Sequence, residues 1–134
     1  DPTKSSSMAK AFENVIQQKI QQQLAGVRAQ AHGELTAAEE DQAVRDGWKS
    51  GLRLIQLIGA NARYSTDSSQ KPPIDVSQGD CAAGICIDFY GRAQAEVTAR
   101  RSDGTSRLFF VTPRGGTVSS VDPMCSFGSD GGPS

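Results

Sequence analysis

The sequence has no excess of charge of either sign and no long apolar run. Its 134 residues include 14 basic and 15 acidic side chains, which give a formal net charge of −1. This balance argues against a dedicated nucleic-acid or membrane-surface protein, because such proteins usually carry a basic excess. The best apolar run, LRLIQLIGA at 52–60, is interrupted by Arg53 and Gln56. It is too short for the roughly 20 residues that a membrane-spanning helix needs.

Residues of the kind that catalyse reactions or bind metals are also scarce. His32 is the only histidine, and at a helix end such a residue most often interacts with the last carbonyl groups. The cysteines do not have the C-x-x-C spacing of a zinc or thioredoxin-like motif. No constellation supplies a nucleophile, a base and an orienting group together. The sequence therefore predicts a protein that is not an enzyme and that has no metal or cofactor.

The N-terminal part has the periodicity of an amphipathic helix. From Met8 to Ala31 the apolar residues recur at steps of three and four, which places them on one stripe of a helix. Gly33 is expected to end this helix in the C′ position, and a kink within one long helix is the alternative. The apolar stripe comprises Met8, Phe12, Val15, Ile16, Ile20, Leu24, Val27 and Ala31.

A second helix is predicted from the capping box of Thr36 and Glu39 to about Ala62. Gly47 and Gly51 weaken this helix but would permit a close neighbour. The side chains that we expect it to bury are Val44, Trp48, Leu52, Ile55 and Ile58.

A polar connector, STDSSQKPP at 65–73, separates the helices from short runs that alternate between apolar and polar residues. The connections between these runs are Gly91-Arg92, RSDGT and PRGG, and connections this short imply antiparallel neighbours. The predicted fold class is therefore α+β, with the helices packed on a four-stranded antiparallel meander. The predicted strands are 84–90, 93–100, 106–112 and 117–121. The sheet face that packs on the helices is expected to contain Ile87, Phe89, Val97, Leu108, Phe110 and Val118.

The chain is expected to form a single domain, since its length suits one modest core. The expected divisions are an unstructured start at 1–7, a helical part at 8–62, a loop at 63–80, a sheet at 81–125 and a disordered tail at 126–134.

The cysteines are Cys81, Cys86 and Cys125, which allow three single pairings. Cys81 and Cys86 enclose the short loop AAGI, whose small residues allow a tight closure. A bridge from either of them to Cys125 would instead tie the C-terminal tail to the sheet. We expect one disulfide, which implies an oxidising compartment. Three reduced cysteines, some of them core residues, are the alternative.

Arginine is the prevalent cation in the second half of the chain. Together these arginines could form a basic sheet edge that binds DNA or another anionic polymer. The alternative is a solvated face on which they are balanced by Asp88, Glu96 and Asp103. The candidate residues are Arg92, Arg100, Arg101, Arg107 and Arg114.

The segment ICIDFYGRAQAEVTARRSDGTSRLFFVTPRGGTVSSV resembles the globular part of type IV pilins and type II secretion pseudopilins, and the minor subunits in particular. The residues that carry the resemblance are Phe89-Tyr90-Gly91-Arg92, Arg107 to Val111, and Gly115-Gly116-Thr117-Val118. The resemblance covers about residues 84–121. Two features depart from the family: the hydrophobic N-terminal segment is missing, and a helix at 37–62 is more than the family usually needs.

The resemblance implies a structural subunit of a type IV pilus or a type II secretion pseudopilus. Such a subunit is held in the inner membrane by an N-terminal helix until it assembles with other subunits, and it acts at the cell surface or in the periplasm. The helix residues expected to pack in the filament are Met8, Phe12, Ile16, Ile20 and Leu24.

Two other functions are compatible with the sequence. One is an extracytoplasmic α+β binding module, which binds DNA or another ligand through the arginine edge. The other is a helical-hairpin adaptor whose function resides in residues 8–62.

Overall fold

The computed structural model describes residues 2–101 and 108–119, and the side chains of the first range as far as residue 99. This part of the chain contains four α-helices and no β-strand. The helices are α1 (Ser6–Gln30), α2 (Ala37–Asn61), α3 (Lys71–Gln78) and α4 (Asp88–Arg101). The predicted α+β fold with an antiparallel sheet is therefore wrong, and the described fold is all helical.

The helix predicted from Met8 to Ala31 is confirmed as α1. Its first turn is capped by Ser5, whose hydroxyl accepts a hydrogen bond from the backbone N–H of Met8 at 3.3 Å. The chain leaves the helix at Ala31, which has an extended backbone. The C′ role expected of Gly33 is wrong, because Gly33 does not have the positive φ angle of that position.

The capping box predicted at the start of the second helix is also confirmed. The Thr36 hydroxyl accepts a hydrogen bond from the backbone N–H of Glu39, and the Glu39 carboxylate accepts one from the backbone N–H of Thr36. These reciprocal bonds satisfy two groups that a helix start otherwise leaves without partners.

Helices α1 and α2 form an antiparallel hairpin whose backbones approach closely. Gly47 lies opposite Ile20, and Gly51 lies opposite Ile16, one turn further along each helix. A Cβ atom on Gly47 would overlap the backbone of Ile20, and one on Gly51 would lie 2.8 Å from the Cα atom of Ile16. The close neighbour expected at these two glycines is thus confirmed.

The face that α2 buries differs from the predicted one. Its buried residues are Ala43, Gly47 and Gly51, whereas Trp48 and Leu52 are 46% and 48% exposed. Small residues allow the closest approach of two backbones, so α2 turns its stripe of small residues toward α1. Trp48 and Leu52 of the predicted face are therefore not buried against α1.

The connector predicted as a loop contains α3. This helix begins at Lys71 and has prolines in its first turn, where the missing N–H of proline removes no intrahelical hydrogen bond. It ends at Gly79, whose φ angle of 87° is the left-handed conformation favoured by glycine. The predicted loop at 63–80 is therefore correct only on either side of α3.

The predicted strand 93–100 lies entirely within α4, and the last three residues of the predicted strand 84–90 form the start of this helix. The Gly91-Arg92 pair, expected as a hairpin turn, lies in the first turns of this helix, and the Gly91 N–H donates to the carbonyl of Ile87 at 3.2 Å. Gly91 is buried because the ring of Phe110 packs where its side chain would be. The predicted turn at this pair is wrong.

The described parts of the other two predicted strands, 108–112 and 117–119, do not form strands. The turn expected between them is confirmed: the Gly116 N–H donates to the Pro113 carbonyl at 3.0 Å, and both Gly115 and Gly116 have positive φ angles. Of the residues expected on the buried sheet face, Leu108 is buried and Phe89 is 71% exposed. None of the helices among the described residues combines the length and apolar character that crossing a membrane requires.

Candidate functional site

A groove of about 860 Å³ lies at the open end of the α1–α2 hairpin, where α1 begins and α2 ends. The segments 61–69 and 80–87 and the first turn of α3 form its other sides. We call this feature the end groove. Its large apolar lining residues are Met8, Phe12, Ile55, Ile58, Pro72, Ile85 and Ile87.

The groove arises from a change in residue size along the hairpin. In the middle of α2, Gly47 and Gly51 bring the two helix backbones into contact. Toward the end of α2, the side of the helix that faces α1 carries the larger residues Ile55 and Ile58 where its middle carries glycine. The neighbouring part of α1 carries Phe12. The same apolar stripes that close the hairpin in its middle therefore line an open groove at its end.

The rim of the end groove is polar. The Lys4 ammonium forms an ion pair with the Asp67 carboxylate at 2.9 Å, and both side chains are more than half exposed. Such a pair contributes little to stability, since water screens both charges. Arg63 uses its Nη1 atom to donate a hydrogen bond to the backbone carbonyl of Asp80 at 2.7 Å.

A buried carboxylate ties the walls of the groove together. Asp75 accepts hydrogen bonds from the Tyr64 hydroxyl at 2.6 Å and from the Lys71 ammonium at 2.7 Å. The Lys71 bond and then the Tyr64 bond hold the pKa of the Asp75 carboxyl below its ordinary value. The same bond raises the pKa of Tyr64 to about 12, so that this hydroxyl stays protonated as the donor. The backbone carbonyl of Asp75 also accepts from the N–H groups of Asp80 and Cys81.

Cys81 and Cys86 both line the end groove and are free thiols in the structure. Burial, followed by the nearby Asp88 carboxylate, raises the pKa of the Cys86 thiol. A raised pKa disfavours the thiolate, which is the nucleophilic form. Because both thiols are free, the first candidate disulfide, between Cys81 and Cys86, is not formed in this structure. Cys125 lies outside the described residues, so the alternative pairing with it stays a prediction.

Two of the five candidate arginines have described side chains. Arg92 forms an ion pair with Asp88 at 3.0 Å, and its guanidinium lies over the Phe110 ring at 4.8 Å from the ring centre. Arg114 is exposed in the turn that contains Gly115. The side chains of Arg100, Arg101 and Arg107 lie outside the described part. DNA binding through these arginines stays a prediction. The sheet edge on which they were expected to lie is not present among the described residues.

The structure gives positions for all five helix residues expected to pack in a filament, and their packing in a filament stays a prediction. Met8 and Phe12 line the end groove, while Ile16 and Ile20 are buried against α2. Leu24 is half-buried further along α1.

The structure also gives the position of the only histidine and of the possible metal ligands among the described residues. His32 is exposed in the connection between α1 and α2. Among the described residues, no three histidine, cysteine or acidic side chains lie close enough together to hold a metal ion.

The sequence analysis missed the end groove and the residues at its rim. Arg63, Tyr64 and Asp75 lie in a segment that was predicted to be a loop, and nothing in their spacing indicates a common site. The available signal was the pair of apolar stripes at 8–12 and 55–58, which meet only when the hairpin is antiparallel.

The described residues form an all-helical fold, built on an antiparallel hairpin with an apolar groove at its open end. Comparisons with protein-family models, curated proteins and solved structures find no match for this chain. The resemblance to pilins is thus neither supported nor opposed by known relatives. The filament function, the inner-membrane anchor and the extracytoplasmic location stay predictions.

Proposed function

We propose that the protein is a non-catalytic binding module that takes an apolar, chain-like ligand into the end groove. The observation that carries this proposal is the lining of the groove by large apolar side chains from four separate segments. A cleft of several hundred Å³ that is mainly apolar, with a few polar groups at its rim, is the usual form of a small-molecule site.

The lining favours an aliphatic ligand over a polar metabolite. More than half of the large apolar side chains in the wall are isoleucines, while the hydroxyl and amide groups of the site lie in the segment 61–69 and at Ser5. A polar ligand would lose hydrogen bonds to water along this wall, whereas an aliphatic chain would gain about 25 cal/mol for each Å² of apolar surface that it buries.

The titratable groups near the groove support binding rather than catalysis. The Asp75 carboxylate is occupied by Tyr64 and Lys71 as hydrogen-bond donors. The thiol of Cys86 has a raised pKa, which keeps it protonated. Neither group is arranged as a general base or an activated nucleophile.

This proposal can be tested with a substitution that fills the groove. Ala83 is an exposed residue in the groove wall, so the substitution Ala83→Trp places an indole where the ligand would lie. We expect it to weaken binding of the neutral dye N-phenylnaphthylamine about tenfold, equivalent to about 1.4 kcal/mol. The measurement is a fluorescence titration, repeated with dodecanol as the competitor.

The matched control is Ala29→Trp, which adds the same indole to an exposed alanine near the other end of α1. This variant should bind the dye as the original protein does. Equal affinity in all three proteins, or no binding by the original protein, would show that the end groove does not take apolar ligands.

A further inference from the structure

We infer that the ligand of the end groove is a single-chain amphiphile with an anionic headgroup, and that Arg63 binds the headgroup. This inference rests on the proposed function, because it assigns the polar end of a ligand whose chain lies in the groove. It follows from the position of Arg63, from the pairing of Lys4 with Asp67 at the rim and from the hydrogen-bonding chemistry of guanidinium groups.

Arg63 combines exposure with a held geometry. It follows the end of α2 directly, lines the groove and is exposed. The hydrogen bond from its Nη1 atom to the Asp80 carbonyl holds one arm of the guanidinium. A guanidinium carries five N–H donors in one plane, so this bond leaves most of them available to a ligand. Because the side chain is already oriented, less conformational entropy is lost when a ligand binds.

Lys4 and Arg63 are the two cations at the described part of the rim, and Arg63 is the one that forms no ion pair there, although its charge also acts on the Asp75 carboxylate. Lys4 is neutralised by Asp67 at 2.9 Å. Within the described part of the chain, no carboxylate lies within ion-pair distance of Arg63, and its bond to Asp80 goes to the backbone carbonyl. The carboxylate of Asp80 is also at the rim, so a cationic headgroup is the alternative that the experiment must separate.

A guanidinium beside an apolar groove matches the two ends of an anionic amphiphile. The planar donors of arginine fit a carboxylate or a phosphate with paired hydrogen bonds. Such charge-assisted bonds are stronger than neutral ones, and the neighbouring apolar wall excludes some of the water that would compete for them. The aliphatic chain would extend past Ile58 toward Phe12, both of which line the groove.

The test compares ligands that share one chain length and differ only in the headgroup. Dodecanoate, dodecyl phosphate, dodecanol and dodecylammonium are titrated as competitors of N-phenylnaphthylamine, below the concentrations at which they form micelles. We expect dodecanoate or dodecyl phosphate to bind about tenfold more tightly than dodecanol. The tighter of the two anions identifies the headgroup as a carboxylate or a phosphate.

The substitution Arg63→Gln should remove this advantage and leave the affinity for dodecanol unchanged. Arg63→Lys, which keeps the charge, should restore part of it. The matched control is Arg45→Gln, which removes an arginine from an exposed position of α2 outside the groove and should change neither affinity. The dodecanol titration also shows whether loss of the Arg63–Asp80 bond has deformed the groove.

The possible results separate the two proposals. If the original protein binds none of the four ligands, the proposed function fails. If it binds all four equally, or if Arg63→Gln weakens dodecanol as much as the anions, the groove takes apolar chains but Arg63 does not bind the headgroup. Tighter binding of dodecylammonium than of the anions would overturn the inference in favour of Asp80.

Discussion

Asp75 joins three segments that are separate in the sequence. It is 8% exposed, and its carboxylate accepts hydrogen bonds from the segment before α3, through Tyr64, and from the first turn of α3, through Lys71. Its backbone carbonyl accepts from the segment after α3. A buried carboxylate is stable only when hydrogen bonds replace its water, and here the replacing bonds also shape the wall of the end groove.

We expect the contribution of Asp75 to stability to depend on pH. Its pKa is lower in the folded protein than the ordinary value of 3.8, so the unfolded chain takes up a proton first as the pH falls. The stabilisation is therefore complete at neutral pH and is lost from about pH 5 downward, as the pH falls through the folded pKa. In urea denaturation, Asp75→Asn should be less stable than the original protein at pH 7, and the difference should shrink at pH 3.

The control for this prediction is Glu13→Gln, which removes one carboxylate from an exposed position on α1. Its effect on stability should be small at both pH values. A difference between Asp75→Asn and the original protein that stays the same from pH 7 to pH 3 would contradict the assigned role of the charge.

At the scale of the element, the contact between α1 and α2 depends on glycine. Glycine in a helix interior is ordinarily destabilising relative to alanine by roughly 0.5–1 kcal/mol. Gly47 and Gly51 are retained in a helix because the backbone of α1 occupies the space of their side chains. The helix loses some intrinsic propensity, and the hairpin gains a close contact along its middle.

Gly47→Ala and Gly51→Ala should each destabilise the protein by about 1–3 kcal/mol, because the added methyl group forces the two backbones apart. Chemical denaturation followed by circular dichroism measures this change.

Gly26→Ala is the matched control within α1, since no neighbouring atom lies within 4 Å of the position that its methyl group would take. At this position only the higher helix propensity of alanine matters, and we expect Gly26→Ala to stabilise the protein by roughly 0.5–1 kcal/mol. A stabilising Gly47→Ala would show that the helices do not meet at this face.

The elements that the sequence predicts correctly are those with strong local signals. Helix α1 has a long apolar stripe, and α2 has the capping box of Thr36 and Glu39. Helix α4 was mistaken for strands because Ala93, Ala95 and Ala99 alternate with polar residues. Alanine has the highest helix propensity of any residue and is depleted in strands, so this alternation carried little information about a sheet.

At the scale of the whole molecule, residues 108–119 pack on the helices. Leu108 is buried, and the ring of Phe110 covers Gly91 of α4. The amide of Gln18 in α1 donates to the carbonyls of Gly115 and Gly116 at 3.4 Å. Residues expected to form strands therefore contribute to the described fold as chain outside the helices.

The far-ultraviolet circular dichroism spectrum of the whole protein should show the double minimum of α-helix. The reason is that helices make up most of the described residues, among which there is no strand. A single minimum typical of β-sheet would contradict this fold.

Local sequence determined the starts of α1 and α2, their apolar stripes and the close approach at Gly47 and Gly51, because caps, periodicity and side-chain size act over a few residues. Only the tertiary structure decided which face of α2 is buried and that 88–101 is a helix. The tertiary structure also brings Phe12, Ile58 and Arg63 to one groove. Their proximity depends on the antiparallel hairpin and on the hydrogen bond by which Asp75 holds the segment that contains Tyr64. The proposed function therefore rests on the tertiary structure and not on local sequence.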